Sequence, residues 1–298
     1  LLSEVRMKHL EASVYKPYVE VKRTYEFKGT AAQLRDLTGE LGFPALLDKD
    51  TNKAIQEWLT TRQLVEVGSH GYQILNKTFE SSVVIKREDV EDDQIGKYSV
   101  ISENFGREAA LFPDKNVYAL LAAGFATLCY DGQNFFDTDH PLDTTPATTF
   151  SNVVGDPGTD TGAPWFVIDD MQVVKPIVFQ ERRAFDFQTM NATSEYTWFN
   201  NKFAAGVDGR HGYGFGFPQT AIGSKATLDA TNFEAAKTKL ASMKKSNGTP
   251  IGTMARVLVV GPSNEAAARK LIKREFLDNG ESNIYYNNVE IVVSPYLV

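Results

Sequence analysis

The chain is poor in the residues that staple a fold or catalyse a reaction. One of its 298 residues is cysteine, Cys129, so no intramolecular disulfide can form and a zinc site built from several thiolates is excluded. A single thiol fits synthesis in a reducing compartment. Histidine is scarce as well: His9, His70, His140 and His211 are scattered along the chain. No apolar run approaches the roughly 20 residues of a membrane-spanning helix. Leu1 to Lys16 carries charges every few positions, unlike the apolar core of a signal peptide. Positive charge is in deficit, 31 Lys and Arg against 38 Asp and Glu, a net charge of −7. Proteins that wrap nucleic acid over their whole surface are usually basic, so tight, direct DNA binding is disfavoured. There is no G-x-S-x-G nucleophile elbow and no Walker lysine.

What is present is ordinary globular material. Hydrophobic residues make up 42% and charged residues 23%, enough for a sizeable core, and the length predicts two lobes or one elaborated domain. Residues 1–45 are weakly periodic, with Arg6, Lys8, Lys16, Lys22, Arg23, Lys28 and Arg35 outnumbering the acids. They read as an edge strand or as an extended arm that needs a neighbour. Residues 52–90 place two β-rich runs around Gly68-Ser69-His70-Gly71, which predicts a long hairpin. Asp89, Glu91, Asp92 and Asp93 then precede a helical pattern from Ile95 to Phe112, where acids favour a helix N-terminus. Pro113 is expected to interrupt that helix, Asp114 to cap its continuation, and the apolar pattern to run on to Leu128.

Residues 141–164 are rich in Pro, Gly, Thr and Asp and predict an exposed loop. Short strands are expected at Trp165–Asp169 and Lys175–Phe179, the second ending in Gln180-Glu181-Arg182-Arg183. Phe203 to Phe217 alternates glycine with aromatics, as in a strand whose backbone approaches another surface closely. A helix capped by Thr231 or Asn232 follows, with Gly248 near its end. Next come the apolar strand Arg256–Val260, a helix capped by Ser263 or Asn264, and a closing strand, Val289–Val293. Strand–helix–strand order over residues 225–298 predicts an α/β lobe.

Three features invite a chemical reading. Asp137, Asp139 and His140 resemble half a metal site and would serve a metal-dependent hydrolase, but no companion histidine pattern completes it, and Asp and His-Pro at that place also make a turn. His211-Gly-Tyr-Gly-Phe-Gly-Phe217 is not G-x-G-x-x-G and opens no helix, which argues against nucleotide binding. Cys129 has no basic neighbour in sequence to activate it, so a buried structural thiol is expected. The residues therefore predict no catalytic, metal-binding or cofactor-binding residue.

The segment Gly124 to Pro141, GFATLCYDGQNFFDTDHP, closely resembles the major head subunits of Mu-like phages, the gpT family. The stretches 70–99, FQERRAFDF (179–187), GYGFGFPQTA (212–221), NFEAAKTKL (232–240), RVLVVGPSNEAAARKL (256–271) and VSPYLV (293–298) agree in order, so the resemblance spans about residues 50–298. It implies an α+β capsid fold of the Hong Kong 97 type. Its parts would be an N-terminal arm (1–50), an extended β-hairpin loop (51–90), a peripheral domain (91–224) with a spine helix (91–128) and an exposed loop (141–164), and a mainly axial domain (225–298) whose last strand is placed in either domain. The implied function is a major capsid protein, a homo-oligomer of hexameric and pentameric capsomers in an icosahedral head. That head would enclose double-stranded DNA without reading its sequence. Scaffold, maturation protease, portal and decoration proteins would be its partners, with no membrane, and assembly would take place in the host cytoplasm. An encapsulin-like compartment shell would share the fold. The expected subunit-interface residues are Trp58, His70, Tyr72, Phe79, Arg87, Phe135, Phe136, Arg182 and Arg183. Phe135-Phe136 is further expected to be an architectural anchor, with the nearby acids and His140 satisfied locally or across a subunit contact.

Overall fold

The computed structural model describes residues 41–44, 69–88, 97–142, 149–172, 174–190, 194–245, 248–277 and 280–297. In chain order the strands are β1 (Leu41–Pro44), β2 (Ser69–Ile74), β3 (Lys77–Lys86), β4 (His140–Pro141), β5 (Thr149–Phe150), β6 (Val153–Val154), β7 (Trp165–Ile168), β8 (Ile177–Met190), β9 (Lys202–Phe215), β10 (Ala221–Ser224), β11 (Val257–Val260) and β12 (Glu290–Val293). The helices are α1 (Lys97–Ala123), α2 (Glu195–Asn200), α3 (Ala230–Ala241) and α4 (Pro262–Ile272). Two compact units emerge, one drawn from residues 74–116 and 179–213, the other from 117–178 and 214–298 together with β1 and most of β2. Among the described residues no helix is long and apolar enough to cross a membrane.

The second unit holds an α/β lobe that reaches beyond the expected residues 225–298, since β6, β7 and β10 join its sheet. Its five-stranded sheet has the order β12-β11-β7-β10-β6. β7 runs antiparallel to both neighbours, with Trp165 opposite Val260 on one side and Ser224 on the other. The outer pairs, β11 with β12 and β10 with β6, are parallel. The continuous apolar run Val257–Val260 suits a strand covered on both faces. Helix α3 turns Phe233, Ala236 and Leu240 inward at i, i+3, i+7 spacing, and α4 adds Ala268 and Ile272. These meet Trp165, Val167, Ile222, Leu258 and Val260 in one buried cluster. Both helices start differently from expectation. Asp229, not Thr231 or Asn232, caps α3 by accepting the Asn232 amide (2.8 Å). α4 starts from Gly261 with Pro262 in its first turn, and Asn264 donates instead to Ala163 O (2.8 Å). α3 ends at Ala241, well before Gly248, which forms a later turn at φ +80°.

The first unit carries a three-stranded sheet in the order β3-β9-β8. β3 pairs antiparallel with β9, Lys77 opposite His211 through Lys86 opposite Lys202. Ser69, His70 and Gly71, expected in a turn, lie in β2, whose sheet partner is β1. The first run of the expected hairpin lies outside the described residues. β8 is much longer than expected and continues through Gln180-Glu181-Arg182-Arg183 to Met190. The charges do not end it because they face solvent, and Arg183 reaches Asp208 on neighbouring β9. That ion pair offsets a like-charge juxtaposition, since Glu80 lies directly opposite Asp208. Beneath this sheet His211 is buried against Phe79, Phe112, Phe179 and Phe185, with centroids 4.6–6.4 Å away.

Helix α1 is continuous through Pro113, contrary to the expected interruption. An interior proline costs about 3 kcal/mol, but aromatic contacts of Phe112 on one side and the burial of Val117 and Leu121 on the other outweigh it. Asn116 Nδ2 donates to the Phe112 carbonyl that precedes the ring (2.7 Å). The acids Asp89, Glu91, Asp92 and Asp93 lie outside the described residues. Because α1 runs on through Pro113, Asp114 is not an N-cap. It is buried mid-helix, and its Oδ1 has no hydrogen-bond partner among the described residues.

Burial pushes the Asp114 carboxyl up from 3.8 to about 6. A carboxyl raised in the fold favours folding when protonated, and that contribution is lost as pH rises through about 6. Asp114→Asn should therefore be more stable than wild type at pH 7.5, by on the order of 2 kcal/mol. The difference should vanish near pH 4. Paired urea titrations across this range check it, and a variant no more stable at neutral pH contradicts the assignment.

Candidate functional site

The segment that stands out in the sequence is a tightly wired connection between α1 and β4. After Ala123 the helix stops at Gly124, whose carbonyl accepts the Phe136 amide (2.9 Å). The chain between them folds back on itself. Phe135 N donates to Thr127 O (3.0 Å), Cys129 N donates to Gln133 O (2.8 Å), and Gly132 takes φ +86° in the turn. The helix ends before the expected Leu128, and a Cβ at Gly124 would lie 2.8 Å from the Phe136 ring. A Cβ at Gly223 on β10 would meet the same ring at 2.7 Å. Phe136 is thus wedged between two glycines. Around it stand Phe125, Phe135 and Phe166 at 5.0, 4.8 and 5.1 Å, and Phe135 in turn stacks on Phe215 at 4.3 Å. Phe135 and Phe136 are 0% and 1% exposed. As interface candidates they are therefore corrected: their side chains are used up inside the subunit and present no surface to a neighbour.

Asn152, which nothing in the sequence marked, is the polar counterpart of this anchor. Fully buried, it donates from Nδ2 to Phe135 O (2.7 Å) and Pro218 O (3.2 Å) and accepts the Asp137 amide at Oδ1 (2.9 Å). Its backbone continues the network, N–H to Asp137 O and C=O from Gly223 N. An asparagine in a turn-rich stretch carries no sequence signal that separates this role from an ordinary turn.

The expected half-site of Asp137, Asp139 and His140 does not assemble. Asp137 accepts from Thr138 N (2.7 Å) and Asn134 Nδ2 (3.3 Å), and Asp139 is exposed. His140, 0% exposed and stacked on Phe150, places Nδ1 2.7 Å from Asp131 Oδ2. Asp131 Oδ1 accepts the Cys129 thiol (2.9 Å) and the Gln133 amide (3.1 Å). The sequence hides this grouping because Asp131 returns to His140 only through the turn at Gly132. Burial opposes ionisation of Asp131, but the hydrogen bonds from His140 and Cys129 outweigh it and hold the carboxyl below its usual range. Burial and the Asp131 carboxylate together push the Cys129 thiol far up. The thiol faces a carboxylate and not the imidazole, the reverse of what activates a cysteine nucleophile.

The other expected interface residues are dispersed. Trp58 lies outside the described residues, and His70 and Tyr72 belong to β2. Phe79 is half-buried against Phe112 at 4.6 Å. Arg87 is exposed beyond β3, where its amide donates to Asn201 O (3.1 Å). Arg182 and Arg183 are exposed on β8, the latter paired with Asp208. Sequence reasoning missed the most exposed aromatics among the described residues, on the short helix between β8 and β9. Ser194 caps α2 through Oγ, Asn201 closes it at φ +50°, and Thr197 is buried beneath it. Trp198 and Phe199 nevertheless stand 80% and 74% exposed. The available signal was the adjacency of Trp and Phe in a hexapeptide too short to bury both.

The wedge makes a definite stability claim. Phe136→Ala should cost about 3–5 kcal/mol, and Gly223→Ala, which overfills the same place, about 1–3 kcal/mol. Thermal denaturation with circular dichroism checks both, and near-wild-type midpoints would refute the anchor.

Comparison with known proteins agrees with this architecture. A family model described as Mu-like prophage major head subunit gpT matches residues 50–297. The chain is 35% identical over 252 residues to the major capsid protein of Escherichia phage Mu, covering 82% of each. It is 36% identical over 253 residues to the Mu-like prophage FluMu major head subunit of Haemophilus influenzae, again covering 82% of each. A chain of the bacteriophage JBD30 procapsid aligns with TM-score 0.77 and 33% identity over 99% of this chain and 96% of that one. A chain of the JBD30 capsid aligns with TM-score 0.71 and 26% identity over 87% and 86%. With its wired Gly124–Pro141 segment and the α+β fold of Hong Kong 97-like phage capsid proteins, the chain belongs to the Mu-like gpT family of major head subunits.

Proposed function

We propose that this subunit self-assembles into the hexamers and pentamers of an icosahedral phage head that encloses double-stranded DNA. The observation that carries the reading is the aromatic pair Trp198 and Phe199, displayed on a helix whose two ends are capped and which buries Thr197. Large aromatics displayed to water are characteristic of surfaces that another protein covers, where Trp is among the strongest anchors. Phe79, Arg87, Arg182 and Arg183, with Trp58, His70 and Tyr72, complete the proposed contact set.

A division into N-terminal arm (1–50), extended loop (51–90), peripheral domain (91–224) and mainly axial domain (225–298) fits such a subunit. The net charge of −7 suits a container for DNA, since a wall that is not strongly basic lets the duplex slide during filling. A purely structural role is supported by the masked chemistry of Cys129, whose thiol is locked to a carboxylate. Scaffold, maturation protease and portal proteins are the partners that filling and closing a shell require. One JBD30 capsid is described as decorated with minor capsid protein trimers, and a decoration protein is proposed here by that likeness. Assembly in the host cytoplasm, ending in the virion, follows from the same reading.

Under assembly conditions the chain should form closed particles of megadalton mass by light scattering and electron microscopy. Particles from infected cells should contain DNA, whereas an encapsulin-like shell would contain cargo protein. A strictly monomeric chain sinks the proposal. Replacing both Trp198 and Phe199 with Glu should leave the circular dichroism spectrum intact and reduce particle yield at least about tenfold, as expected when two anchors of 1–2 kcal/mol each are lost.

A further inference from the structure

The trio at the turn of the wired segment has a composition that hydrogen bonding alone does not exhaust. Cys129 is 6% exposed, and the side chains of His140 and Asp131 are 0% and 4% exposed. One ligand atom from each lies within 4.8 Å of the others, and among the described residues no other group of three His, Cys, Asp or Glu meets that test. The two carboxylate oxygens of Asp131 are divided between the other two residues: Oδ1 lies 2.9 Å from Cys129 Sγ and Oδ2 lies 2.7 Å from His140 Nδ1. Three ligand atoms, one from each residue, therefore converge on one small volume. Donors around a tetrahedral zinc lie roughly 3.2–3.7 Å apart, as bond lengths of about 2.0–2.3 Å require. Shifts of well under 1 Å per side chain would open these contacts to that spacing.

We propose that Cys129, Asp131 and His140 form a buried structural zinc site, with the thiolate, one carboxylate oxygen and one imidazole nitrogen as its three protein donors and a water completing the tetrahedron. A mixed sulfur, nitrogen and oxygen set selects a borderline-soft divalent ion over magnesium or calcium, which prefer oxygen alone. Charge argues the same way. With a neutral imidazole the trio buries one uncompensated negative charge on Asp131. Zinc with Asp131 carboxylate, Cys129 thiolate and neutral His140 sums to zero. Binding releases the thiol proton to solvent and moves the imidazole proton from Nδ1 to Nε2, a nitrogen that is buried without a hydrogen-bond partner in either form. With Cys129 and the side chains of Asp131 and His140 all at most 6% exposed, the ion would be closed to a substrate and would brace the structure. What it would brace is the return of the Cys129–Gln133 turn onto His140, the first residue of β4.

The test uses the full-length chain, purified without chelator, given zinc sulfate and dialysed. Elemental analysis should find about one zinc per chain, falling at least about tenfold in Cys129→Ser, which keeps a hydroxyl donor for Asp131 and so preserves the fold by circular dichroism. Cobalt(II) in place of zinc should give a sulfur-to-metal charge-transfer band that the Cys129→Ser variant lacks. His140→Ala should lose the metal as well. Substoichiometric zinc in the wild type, equal zinc in Cys129→Ser, or cobalt spectra without the sulfur band would each overturn the proposal and leave a hydrogen-bonded cluster only.

Discussion

A phenylalanine ring pressed between two glycines fixes the geometry from which the α/β lobe is built. Phe136 can enter only because Gly124 ends α1 and Gly223 leaves β10 bare at the same height. The ring therefore registers a helix terminus against a sheet strand, and the Gly124 carbonyl locks the match by accepting the Phe136 amide. Interiors pack at crystal-like density, so a contact this close tolerates neither a smaller ring nor a larger neighbour. Asn152 carries the same constraint into the polar layer. It ties the Phe135 carbonyl, the Pro218 carbonyl and Asp137 to β10, so the aromatic wedge and the hydrogen-bond network hold one another in place.

The parts of the fold that are legible in sequence are those where local pattern and burial coincide. Val257–Val260 is continuous and apolar, and it forms a strand inside the sheet. Phe233, Ala236 and Leu240 recur at helical spacing and pack as that spacing implies. Phe135-Phe136 reads as an anchor and is one. What sequence does not encode locally is partner choice. The β-branched and aromatic residues of Lys77–Lys86 announce a strand, but nothing in them says that its neighbour is β9, more than a hundred residues away. Pro113 is a breaker by propensity, and only the packing on both of its flanks keeps α1 whole.

The candidate site was legible to the same limited degree. His140 stood out as a metal-ligating type, and Asp137 and Asp139 were the carboxylates within reach along the chain. Folding chose Asp131, because the turn at Gly132 reverses the direction in which proximity is counted. Arg183 shows the same displacement. A surface arginine suggests an external partner, yet its carboxylate is Asp208, on the next strand. Trp198 and Phe199, by contrast, sit in an unremarkable hexapeptide and become conspicuous only once the capped helix beneath them is known to leave both exposed.

As proposed anchors, Trp198 and Phe199 bear on how a shell is corrected while it grows. Burying a side chain of this size on a neighbour contributes only a few kcal/mol. A subunit held by one such contact detaches quickly, so a misplaced arrival is rejected before the next one lands. The same subunit, once surrounded, must break several contacts together, and its residence time multiplies with each. Individually weak anchors of this kind would leave one surface reversible at the growing rim and permanent in the finished wall.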